Sequence, residues 1–111
     1  MALDGAAHEL GERMTVLAAS FPCLVDKPGI RPWDADLLDR WTSEGDRSGT
    51  EKAAVRFILR VWDEAHPWRC GRFNLLDALD EWDQAHRTAY ARWAADPWWV
   101  IDRVKRYRAP R

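Results

Sequence analysis

Apolar residues recur at helical spacing along most of the chain. Leu3, Ala7, Leu10, Met14, Leu17 and Phe21 follow one another at intervals of 4, 3, 4, 3 and 4, the stripe of a helix lying along a neighbour. Asp4 is placed to cap the start of this helix, and Pro22, which has no backbone N–H, to stop it. Gly5 and Gly11 weaken the helix, so it depends on tertiary packing. Pro22, Pro28, Gly29 and Pro32 then predict an extended connection as far as Trp33. Asp34 opens a short helix with Leu37, Leu38 and Trp41 turned inward, which closes in the polar loop Ser43 to Gly49.

Ser48 and Glu51 form an S-x-x-E capping box, in which each side chain satisfies the other's orphan backbone N–H. Behind it Val55, Ile58, Leu59 and Trp62, widened by Ala54, Phe57 and Val61, give the most apolar helix of the chain and its expected centre. Lys52, Arg56, Arg60, Asp63 and Glu64 are left for its water face. His66 and Pro67 end it, and a loop runs to Phe73. Asn74 and Asp77 start what reads as the longest helix, to about Ala95, with Leu75, Leu79, Trp82, His86, Ala89 and Trp93 again spaced 4, 3, 4, 3 and 4. Asp96 as cap and Pro97 at the first helical position predict a last helix toward Tyr107. Nothing alternates with the period of two that a half-buried strand requires. The expected fold is all-α, a single-domain bundle of four to five helices over residues 1–111, with the basic end 103–111 as a candidate flexible stretch.

Composition supports that reading. With 111 residues, 47% of them hydrophobic, the chain makes one domain large enough to bury about two thirds of its unfolded surface without covalent staples. Two cysteines, Cys23 and Cys70, are too few for a disulfide framework, although one bridge is compatible with the count. Acids at Asp4, Glu9 and Glu12 precede the first arginine, the reverse of a secretory signal. The uncharged run Met14 to Val25 is too short to span a bilayer. A cytoplasmic location is expected, with no membrane span.

Charge is polarised. Residues 1–51 carry −5 and residues 52–111 carry +4, within a formal total of −1. The excess lies at Arg103, Lys105, Arg106, Arg108 and Arg111, after the last acid, Asp102. Of the 17 basic residues 14 are arginine, which suits bidentate recognition and equally reflects a GC-rich genome.

Three patterns offer chemistry. Trp62-Asp63-Glu64-Ala65-His66 and Trp82-Asp83-Gln84-Ala85-His86 each place Asp and His at i and i+3, so Asp63, His66, Asp83 and His86 together could ligate zinc or part of a di-iron site. The aspartates are shorter than the glutamates such iron sites use, and the plainer reading is core tryptophan, solvated aspartate and packed histidine. His66 and Cys70, with Cys23 or His86, are a second and weaker zinc set, because zinc modules usually show two close ligand pairs. Cys70 between Arg69 and Arg72 could also be an activated thiol. Local signatures such as G-x-S-x-G, the Walker loop, G-x-G-x-x-G and H-E-x-x-H are missing from the sequence, and no cofactor is implied.

Eight tryptophans are the strongest oddity. Trp41, Trp62, Trp82 and Trp93 fall on apolar helix faces and read as core. Trp33, Trp68, Trp98 and Trp99 follow prolines, which stiffen the backbone that presents them. They either plug the ends of the bundle or form an exposed patch. With Arg69 and Arg72 such a patch would have the residue types that dominate binding hot spots. The leading expectation is a small non-catalytic accessory protein that binds another protein, or itself, through tryptophan and arginine. The alternatives are nucleic-acid binding by Arg103, Lys105, Arg106, Arg108 and Arg111, and a metal-dependent enzyme at the Asp/His pairs.

Overall fold

The computed structural model describes residues 2–100, with side chains from His8 onward, and among these residues the chain is helical without strands. Five helices follow in order: α1 (Ala2–Ala19), α2 (Ala35–Glu44), α3 (Gly49–Trp62), α4 (Leu75–Glu81) and α5 (Gln84–Ala95), with a 3-10 turn at Pro22–Leu24 between the first two. The all-α bundle expected from the periodicity is therefore the fold.

Helix α3 is the centre, packed by α1, α2, α4 and the 3-10 turn. Its start is the capping box: the Glu51 N–H donates to Ser48 Oγ at 3.1 Å and the Ser48 N–H to Glu51 Oε1 at 3.0 Å. Val55, Ile58, Leu59 and Val61 are buried, each contributing about 1.5–3 kcal/mol by removal from water. Its half-buried arginines do not simply face water, as the pattern suggested. Arg56 Nε donates to the Cys70 carbonyl at 2.6 Å and Arg60 donates to Phe73 O and Glu64, so both tie down the loop that follows. Phe57 gathers an aromatic cluster, with ring centroids 5.6 Å from Phe21, 5.2 Å from Tyr90 and 5.0 Å from Trp93. This cluster ties α5 to α3.

Several sequence expectations are corrected. The stretch after Pro22 is folded rather than extended. Successive turns donate Leu24 N–H to Phe21 O, Lys27 N–H to Leu24 O and Ile30 N–H to Lys27 O. They bury Leu24 and Ile30, and the Thr15 hydroxyl donates to the Ile30 carbonyl. Gly29 turns the chain at φ 88°, where a Cβ would lie 2.6 Å from the Asp34 carbonyl oxygen.

The long helix predicted from Asn74 to Ala95 is two helices. Trp82 is extended (φ −85°, ψ 139°), and Asp83 caps α5 by accepting the His86 N–H at 3.1 Å. Breaking the helix turns the Trp82 indole into the core against Phe21 and Tyr90, where its Nε1–H donates to Thr50 O at 3.3 Å. Leu75, expected on the stripe, is exposed, as is Leu76 beside it.

At the start, α1 already runs from Ala2, so Asp4 lies inside the helix rather than capping it. At the other end, Asp96 closes α5 with its N–H on Trp93 O, and residues 97–100 are not helical. The rest of that predicted helix lies outside the described residues. In α2, Asp34 caps as expected, accepting the Leu37 N–H, but Leu38 is buried and Leu37 exposed.

Candidate interaction groove

A groove of about 850 Å³ runs between α1, the N-terminus of α2 and the loop behind α3. Its aromatic lining comes from three separate places. Trp33 stands just before α2, Trp62 ends α3, and Trp68 lies in the following loop. Trp33 and Trp62 pack with centroids 5.4 Å apart at 57°. The Trp68 indole is fixed by its Nε1–H, which donates to Asp63 O at 3.0 Å, and by the His66 ring 4.2 Å away. The Trp33 Nε1–H is buried without a hydrogen-bond partner.

Carboxylates rim the groove. Glu12 comes from α1, Asp34 and Asp36 from the start of α2, and Asp63 from the end of α3, against one arginine, Arg31. With His8 and His66 neutral, the lining carries −3. Glu12 lies 3.1 Å from His8, and Asp63 Oδ1 accepts the Ala65 N–H at 3.2 Å, so part of this charge also holds the local backbone. A half-buried aromatic wall with a negative rim favours a ligand that is apolar and cationic together.

The loop carrying Trp68 is pinned from α2. The buried Asp39 carboxylate accepts the Arg69 N–H through Oδ2 and the Cys70 N–H through Oδ1, both at 2.9 Å. Gly71, at φ 97°, completes the turn. Cys70 is buried, and burial, with Asp39 adding to it, pushes its thiol up to about 12. The neighbouring arginines were expected to lower it, but Arg69 and Arg72 point to solvent and desolvation wins. Burial likewise raises Cys23 to about 11, and the two thiols are not bridged.

The Asp/His pairs take structural roles. His86 is buried, its Nδ1 is 2.7 Å from Asp83 Oδ1 and its Nε2 accepts the Cys23 N–H at 3.2 Å. Both ring nitrogens are thus engaged within the fold. The Asp83 carboxyl is held below the usual carboxylate range, first by the hydrogen bond from the His86 side chain and then by that from its backbone. Asp63 closes α3, and the exposed His66 packs at a tilt against Trp68. Among the described residues no three His, Cys, Asp or Glu side chains gather as a metal site requires, so neither proposed ligand set comes together.

Of the proline-linked tryptophans, then, Trp33 and Trp68 meet in the groove. Trp98 and Trp99 do not. The Trp98 ring lies under Arg13, 3.9 Å from its guanidinium carbon, and its carbonyl accepts the Trp93 Nε1–H at 2.9 Å. Trp99 meets Trp93 edge to face at 5.2 Å. All four are half-buried rather than fully exposed. Arg103, Lys105, Arg106, Arg108 and Arg111 lie outside the described residues. Sequence reading missed Glu12, Asp34 and Asp36 and took Trp62 for core, and no local pattern marks them, since the Trp82-Asp83 dipeptide matches those at 33–34 and 62–63 yet lies outside the groove. No described helix is long and apolar enough to cross a membrane. Comparison with protein-family models, curated proteins and solved structures finds no match for this chain.

Proposed function

We propose that this protein is a non-catalytic interaction domain that holds a segment of a protein partner in the Trp33–Trp62–Trp68 groove. The observation that carries the reading is the convergence of three indoles on one cleft of about 850 Å³, Trp33 from before α2 and Trp62 and Trp68 from the end of α3 and the loop behind it. Tryptophan supplies large contact area at low entropic cost and is enriched among binding hot spots. At about 850 Å³ the groove has volume for several side chains, and its −3 rim opposes a phosphate backbone at the same place.

A display library of random short peptides, selected on the full chain, tests this. Peptides should be enriched whose binding is lost with Trp68→Ala and kept with Trp41→Ala, because Trp41 lies outside the groove beneath Arg47. Selection of nothing, or of peptides indifferent to Trp68→Ala, would remove the groove from the account.

A further inference from the structure

We propose that the groove's own ligand is the basic segment 103–111 of this chain, seated in cis between the three indoles and the carboxylate rim. The inference rests on the groove being a peptide site and names what occupies it.

The first support is position. The described chain closes with the Val100 N–H donating to the Val61 carbonyl at 3.1 Å, and Val61 directly precedes Trp62 of the groove wall. The described chain therefore ends one residue from the groove wall. Eleven residues extend up to about 36–40 Å at 3.3–3.6 Å each. The described body measures 38 × 32 × 25 Å, so the groove lies within reach.

The second support is charge. Residues 103–111 hold five cations, Arg103, Lys105, Arg106, Arg108 and Arg111, and no acid, against four carboxylates and one arginine in the groove. The third is chemistry, because guanidinium over indole is a pairing this molecule already makes twice. Arg13 lies 3.9 Å from the Trp98 ring and Arg47 4.1 Å from that of Trp41. A short tether supplies the segment at an effective concentration on the order of millimolar, so even modest contacts fill the site. A partner must then displace the segment, which makes 103–111 a competitor that sets the threshold for binding.

The test uses the full chain with Ala109→Cys carrying a nitroxide, a position that removes no charge; the half-buried Cys23 is replaced by Ser, and Cys70 is buried. Indole Nε1–H signals of Trp33, Trp62 and Trp68 should broaden selectively over that of Trp41. Changing all five cations to Gln should abolish the broadening. It should also raise the affinity for an added peptide of sequence 101–111 by about tenfold or more, since the internal competitor is gone. Broadening absent, or appearing only between molecules when labelled and isotope-enriched chains are mixed, would overturn the cis arrangement. If the peptide still binds the groove of the Gln variant, the groove reading survives that loss; if it does not bind and display selection also fails, both fall.

Discussion

His86 Nε2 accepts the backbone N–H of Cys23 at 3.2 Å, joining the start of α5 to the 3-10 turn across 63 positions of sequence. Because Nε2 is the acceptor, the proton of the neutral ring sits on Nδ1 and is donated to Asp83. His86→Leu keeps the apolar packing but leaves the half-buried Cys23 amide unpaired. We expect a loss of about 1–3 kcal/mol in chemical denaturation. An unchanged midpoint would show that the contact contributes nothing.

The same pair predicts a pH dependence. The Asp83 carboxyl titrates below its ordinary value in the folded chain, so the unfolded chain binds the proton first. Its contribution is complete above the usual carboxylate range near pH 4 and is lost as pH falls through the lower folded value. The stability difference between wild type and Asp83→Asn should shrink as pH falls from about 5 toward about 3. A difference that stays level over that span contradicts the assignment.

Asp39 links the core to the groove. Asp39→Ala removes an acceptor shared by two backbone amides, at an expected cost of about 2–4 kcal/mol. Because the same loop carries Trp68, peptide affinity should fall with stability, whereas Asp36→Asn, on the exposed rim, should lower affinity for a basic peptide and leave the melting point nearly unchanged. Equal melting of Asp39→Ala and wild type would refute the pinning role.

Cys23 and Cys70 should react slowly. With thiols raised to about 11 and about 12, alkylation near pH 8 should be on the order of a hundredfold slower than that of a small free thiol, and should accelerate in denaturant. Labelling at the rate of glutathione would contradict the raised values of both thiols.

Local signals were readable wherever they act through a neighbour three or four residues away. The Ser48–Glu51 box, the Asp34 cap and the stripe Met14–Leu17–Phe21 all stand as the sequence pattern predicts. The break at Trp82 was hidden because the apolar spacing runs unbroken through it. The decisive signal is the Asp83-x-x-His86 cap, whose energy competes with helix continuation only when Trp82 has a core pocket to enter. Prolines marked 22–33 as non-helical but carried no information on its burial, which depends on the 3-10 turn of Leu24 meeting α1 and α3 and on Ile30 meeting Thr15 of α1. Trp33 and Trp68 were legible as candidate contact residues. That Trp62 joins them, and that Glu12, Asp34 and Asp36 rim the same cleft, follows only from how α1 and α2 pack.

Calorimetric titration of a groove-selected peptide into wild type, Trp68→Ala and Trp41→Ala tests the groove most directly. A hot-spot indole is worth about 2 kcal/mol or more, so Trp68→Ala should weaken binding by roughly thirtyfold or more, while Trp41→Ala should stay within about twofold. Equal affinity for wild type and Trp68→Ala, with both chains folded, would contradict the account.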